Sequence, residues 1–383
     1  MVAPREPNKG TSLSRRSQRL ESELRHQTPA IFEGTPTLSE PEVLLFINSL
    51  TKVVIATGEV TTLAGSPEQA GNTDGIGDAA RFENPSDMAS DGAGHLFVAD
   101  GLTIRKVVIA TGEITTLAGS PGQTGNTDGT GTAARFEWLD GMASDGAGNL
   151  FVADKYNYTI RKVTIATGEV ATLAGSPGYS GSSDGTGVAA RFDDPQGIAS
   201  DGTGKLFVVD TGNNAIRKVV IATGGVTTFA GSPEHQASSD GTGAAARFYG
   251  PRGIASDGAG NLFVADLVNH TIRKVIIATG EVTLAGSPGQ EGSSDGIGAA
   301  ARFDYPGPIA SDGAGNLFVA DINNTVRKVV IATSEVTTLA GSPGQYGSSD
   351  GTGAAARPPG QTVLRATGQV TSTSRTASQS GRL

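Results

Sequence analysis

Catalysis and metal binding need nucleophiles, acids, bases or ligands brought together, and the supply in this 383-residue chain is lopsided. It has no cysteine and four histidines, His26, His95, His235 and His270, while Asp and Arg recur at fixed positions. The histidines fall in unrelated contexts, so they form no set at metal-ligand spacing, and no Ser/His/Asp or Cys/His group stands out. The recurring carboxylates are of two kinds. One closes an LFVAD-type segment at Asp100, Asp154, Asp210, Asp266 and Asp321, and an IRK arginine follows it: Arg161 after Asp154, Arg217 after Asp210, Arg273 after Asp266. Identical placement in every copy suits a bend-fixing ion pair better than a ring of ligand-binding charges. The other sits in DGxG loops at Asp74, Asp128, Asp184, Asp240, Asp295 and Asp350. One carboxylate per loop falls short of a calcium loop, which gathers several, so these read as turns. The arginine of the ARF motif (Arg81, Arg135, Arg191, Arg247, Arg302, Arg357) is expected to pair with the DGxG aspartate rather than to form an anion-binding ring. Gly241, Gly243 and Ala246 imitate a phosphate loop but lack the Lys-Ser/Thr ending.

What positions these residues is a repeat. The LFVAD aspartates lie 54, 56, 56 and 55 residues apart, a period that signals a repeat architecture. Four short strands can be read in one copy: residues 197–200, 205–210, 215–222 and 226–232, rich in Val, Ile, Thr and Phe and bounded by Gly, Asp and Asn. The second strand is apolar on both pleat faces, Leu206 and Val208 on one and Phe207 and Val209 on the other, so it needs a neighbour on each side. Stacked antiparallel units with two buried faces predict an all-β fold, a six-bladed β-propeller of four-stranded blades. The connector over residues 176–195 is expected to make one helical turn and drop Phe192 between blades, as would Phe82, Phe136, Phe248 and Phe303; the last copy has Pro358 there. Residues 44–66 match 96–120 as a worn first copy that has lost its Asp-bearing bend. The expected organisation is a disordered arm over 1–40, a propeller over 41–371 and a disordered tail over 372–383, with residues 361–371 supplying the inner strand that the first copy lacks.

The unit GIASDGAGNLFVAD followed by NxTIRKV and ATGEVTTLAG resembles the NHL repeat, known from bacterial multi-repeat proteins, tripartite-motif ubiquitin ligases, teneurins and the amidating lyase of neuropeptide maturation. The resemblance covers roughly residues 44–357. It implies a propeller scaffold whose relatives bind proteins, RNA or peptides, and a few of which are enzymes. The lyase resemblance implies a metal site built from several histidines, which this chain does not match. A lactonase-like calcium site would need acidic and amide groups near strand starts, where Asp87, Asp140 and Asp194 lie.

Comparison of the copies shows where a ligand would be read. Strands and DGAG turns barely change, while variation gathers in the bends after the second strand and in the connectors between copies, two kinds of connection that emerge on one face. That face is expected to carry Tyr156, Asn157, Tyr158, Asn213, Asn214, Asn269, His270, Asn323 and Asn324 from the bends. Trp138, Tyr179, Tyr249, Arg252, Tyr305 and Tyr346 come from the connectors. Aromatic side chains with polar handles on loops of a rigid scaffold suit binding. The reading is a monomeric, non-catalytic module for a protein or peptide partner, with no cofactor; the alternatives are a propeller hydrolase, lactonase or lyase with a channel metal, and a structural repeat protein without a ligand. A net charge of -9 opposes phosphate backbones and anionic membrane surfaces. With no secretory signal or membrane-spanning run in the sequence, a cytoplasmic location is the default expectation.

Overall fold

A computed structural model describes residues 42–47, 49–54, 59–66, 69–233, 235–345, 351–355 and 363–367. The expected arm over 1–40, the tail over 372–383 and Tyr346 lie outside them. The described residues form six antiparallel sheets of five strands each. In one sheet the strands are Pro195–Ser200, Lys205–Asp210, Ala215–Val220 and Gly225–Gly231, running from the inside of the ring outwards, with Gly185–Thr186 at the outer edge. The expectation of four strands per blade is corrected by that edge strand. It comes from the preceding connector, where Gly185 pairs with Val226 and Thr186 with Gly225, covering backbone groups that the fourth strand would otherwise leave open.

Local chemistry explains each turn. In the first hairpin Asp201 accepts the backbone N–H groups of Thr203 and Lys205 at 2.8 and 3.1 Å, a side-chain-closed turn. The connector makes a single 3-10 turn, Gly187–Ala189, and Phe192 beyond it is fully buried. The second strand feeds two cores: Leu206 and Val208 pack with Phe192, Ile198 and residues of the preceding sheet, whereas Phe207 and Val209 pack with Phe248, Leu262 and Val264 of the next. This is the two-sided burial that its sequence demands.

The inner strands meet around an axis. Pro85–Ser90, Leu139–Ser144, Pro195–Ser200, Pro251–Ser256 and Ile309–Ser311 contact one another in turn, and Val363–Thr367 contacts both Ile309–Ser311 and Pro85–Ser90. Val363–Thr367 also pairs antiparallel with Glu42–Ile47, so the worn first copy does receive its inner strand from the far end of the chain. Glycine permits the close approach. A Cβ on Gly141 would stand 2.2 Å from the Gln196 carbonyl oxygen, and one on Gly253 would stand 2.3 Å from that of Gly307. Among the described residues no helix is long and apolar enough to cross a membrane, a statement that does not bear on β-barrels.

Candidate functional site

The repeating charges are consumed inside the blades. Arg161, with no exposed surface, donates to Asp154 at 2.8 Å, to Asp128 at 2.7 Å and to the carbonyl oxygen of Arg135 at 3.0 Å, and its guanidinium lies 5.2 Å from the centre of the Phe136 ring. Arg105, Arg217, Arg273 and Arg327 repeat the clamp. Burial raises the Asp154 carboxyl to about 6 against the opposing pull of Arg161 and the Asn157 amide. The DGxG aspartate thus pairs with the IRK arginine. The expectation that it would pair with the ARF arginine is corrected: Arg191 instead donates to the carbonyl oxygens of Val188 and Ala190, because its side chain folds back over the 3-10 turn.

Several residues expected on an open loop face are turned inward. The amides of Asn157, Asn213 and Asn269 are buried and donate both to the clamp carboxylate of their own bend and to a connector carbonyl, for example Asn157 to Asp154 at 2.8 Å and to Gly125 at 2.7 Å. Asn214 and His270, also buried and both at positive φ, accept backbone N–H groups from the next connector, Gly250 at 2.9 Å and Tyr305 at 3.2 Å. These five hold loops together and are not free for a ligand, since a bend beside a buried carboxylate needs donors and acceptors of its own. Asn324 is buried as well, and Asn323 is half-buried. Tyr156, Tyr179, Tyr249 and Tyr305 are exposed; Trp138, Tyr158 and Arg252 are half-buried. Tyr179 is stacked under Arg191, and Tyr305 lies edge-on to His270 at 4.5 Å.

One group converges. Trp138, in a connector, and Tyr156, in the bend that follows, have ring centres 6.4 Å apart, and Tyr156 keeps 50% of its surface exposed. Lys155 lies 5.5 Å from the Tyr156 ring centre and bridges Asp140 at 3.7 Å and Asp194 at 3.2 Å. Gln196 donates to Asp194 at 2.9 Å. Burial raises the Asp140 carboxyl, opposed by the positive charges of Arg252 and Lys155. Asp140 and Arg252 also line a cavity of about 40 Å³ at the inner strands, room for a few waters and far below the usual size of a small-molecule site. Lys155 and Gln196 were missed by sequence reasoning. A signal for these positions exists: the residue four before the serine that closes each inner strand reads Ser86, Asp140, Gln196, Arg252 and Gly307 in successive copies, while Ala-Ser closes each of those strands. Asp87 lines the same cavity and accepts the backbone N–H of Met142 at 2.7 Å, so it ties two inner strands together. Among the described residues, no three His, Cys, Asp or Glu are placed to hold a metal ion.

No family model matches the chain. NHL repeat-containing protein 2 of Bos taurus is 31% identical over 185 residues, which cover 45% of this chain and 26% of that protein. The chain is an NHL-type β-propeller. SUPPRESSOR OF QUENCHING 1, chloroplastic, of Arabidopsis thaliana is 26% identical over 282 residues, covering 70% of this chain and 26% of that protein. The propeller therefore spans about a quarter of the length of these curated relatives. Among solved structures, a chain of a nidogen/laminin complex superimposes with a TM-score of 0.56 at 16% identity, covering 85% of this chain and 97% of that one. An auxiliary nutrient binding protein from Bacteroides thetaiotaomicron gives 0.57 at 13%, covering 82% and 68%. Both likenesses concern the fold alone.

Proposed function

We propose that this NHL-type propeller is a non-catalytic scaffold that binds a protein or peptide partner through its loop face, at the patch formed by Trp138, Tyr156, Lys155 and the neighbouring carboxylates. The observation that supports this reading is the half-exposed Tyr156 ring beside Trp138, with Lys155 close to the Tyr156 ring and bridging Asp140 and Asp194. Rigid aromatic rings with flanking charges are the composition of interface anchors. A partner would cover the rings, and Lys155, Asp140, Asp194 and Arg252 would set its orientation through charge of both signs.

The test is selection from a displayed peptide library on the intact protein, followed by affinity measurement on a Trp138→Gly, Tyr156→Ala variant. Glycine is chosen at 138 because Trp138 has a φ of 79°. Enriched peptides should bind the intact protein and lose roughly tenfold or more affinity in a variant that melts normally. Equal affinity for both proteins, or no enrichment, would count against the patch.

A further inference from the structure

The bend of the last full copy is built differently from its counterparts. In three sheets, four residues separate the clamp aspartate from the next strand, and the third of them is an asparagine whose amide donates to that aspartate and to a connector carbonyl: Asn157 to Gly125, Asn213 to Gly181, Asn269 to Ala237. Between Asp321 and Thr325 there are three residues, Ile322, Asn323 and Asn324, and the 3-10 turn is absent. Asn323 keeps the backbone role of its counterparts: its carbonyl accepts Gly344 N–H at 3.1 Å, as Asn269 accepts Gly289 N–H at 3.2 Å. Its side chain does not keep theirs. The Asn323 Nδ2 group has no partner, and Gly292, which occupies the connector position of Gly125 and Gly181, receives no asparagine.

The space between them is open. A groove of about 440 Å³ is lined by Gly292, Asp304, Ile322, Asn323, Asn324 and Pro343, among others. Asn324, only 2% exposed, has neither Oδ1 nor Nδ2 hydrogen-bonded. Leaving both unpaired in a buried place is costly, and exchanging the two atoms by rotating the amide changes nothing, since the pair offers one donor and one acceptor either way. The neighbouring clamp carboxyl is perturbed as well: burial raises Asp321 to about 8, with the charge of Asp304 adding to the rise and Arg327 opposing it.

We infer that this groove is a second binding site, for an extended peptide segment. One residue of an extended peptide is the complement of Asn324: its own N–H and C=O point to the same side, so the N–H is accepted by Oδ1 and the C=O receives Nδ2, while Asn323 Nδ2 serves a second carbonyl. Asp304, half-buried with its carboxyl raised by burial and by Glu291, adds an acceptor for a basic side chain, and exposed Ile322 with Pro343 gives the segment an apolar floor. The site stands apart from the Trp138 patch and does not depend on it.

The test is titration of the whole protein with N-acetyl-lysine N-methylamide, followed through the side-chain amide NMR signals of Asn323 and Asn324. Saturable shifts of both signals are expected, with affinity falling roughly 10- to 30-fold in Asn324→Gly and Asn324→Asp. Asn324 has a φ of 68°, so glycine removes the amide without straining the bend, and a normal melting curve verifies that the fold is kept. The Trp138→Gly, Tyr156→Ala variant should titrate like the parent, which separates this site from the proposed patch. Shifts that never saturate, or that persist in Asn324→Gly, would overturn the inference.

Discussion

At the residue scale the decisive group is the buried arginine. Arg217 binds Asp210 at 2.7 Å, Asp184 at 2.9 Å and two backbone carbonyls, with its Nε unpartnered. Such a pair does little net work but is expensive to halve, because a lone buried charge remains. The first sheet obeys this rule. In backbone register Ile47 faces Ser49 as Asp100 faces Thr103, and Thr51 faces Thr62 as Arg105 faces Thr116. Both ends of the clamp were replaced there together. Arg217→Thr alone should cost about 3–5 kcal/mol, and Asp210→Ile with Arg217→Thr should cost less than the single change. Urea unfolding of the parent and the two variants checks this, and a double variant no more stable than Arg217→Thr would refute it. The single-variant penalty should also grow with pH. Burial already lifts folded Asp210 to about 6, and removing Arg217 lifts it further. A carboxyl raised above its unfolded value contributes stability at low pH that is lost as pH climbs through the folded value.

At the element scale, strands and hairpins were legible because their signals are local: β-branched runs, Asp-Gly turns and a two-faced apolar pattern. Edge strands such as Gly185–Thr186 were not, since two residues pair across a repeat boundary and carry no periodicity. The asparagines were misplaced for a related reason. Asn-rich bends look exposed in sequence, and only the nearby buried carboxylate shows that their amides are needed inside. Inner-strand glycines such as Gly197 gave no local signal either, as their role is contact with another copy. A Cβ on Gly197 would stand 2.5 Å from the Arg252 carbonyl oxygen, and the backbone there is not left-handed. Gly197→Ala should therefore cost about 1–3 kcal/mol by overpacking, with faster hydrogen exchange in the neighbouring Pro251–Ser256. Gly202→Ala, at φ 70° with nothing near its Cβ, should disturb only its own hairpin. Exchange that changes only within Pro195–Ser200 in the first variant would show that the inner strands are not coupled through these glycines.

At the scale of the whole molecule, the ring depends on one sheet built from both parts of the chain. Glu42–Ile47, Ser49–Val54 and Glu59–Gly65 come from the first copy, whereas Gly351–Thr352 and Val363–Thr367 come from beyond the last LFVAD segment. This sheet lacks the aspartate–arginine clamp at the positions described above, so pairing between Val363–Thr367 and Glu42–Ile47 carries more of the closure than any one pairing elsewhere. Without it, the sequence EVLLFI becomes an apolar edge strand, a template for pairing between molecules. A chain ending at residue 362 should melt at lower temperature and associate in a concentration-dependent way, read by light scattering during size exclusion. A synthetic peptide of residues 361–371 added to that chain should restore the melting temperature and suppress association, because it supplies the missing strand with the same register, Glu42 opposite Thr367 and Phe46 opposite Val363. If the shortened chain melts and elutes like the full one, the ring is held by packing between the inner strands of the other sheets, and the last strand only decorates it.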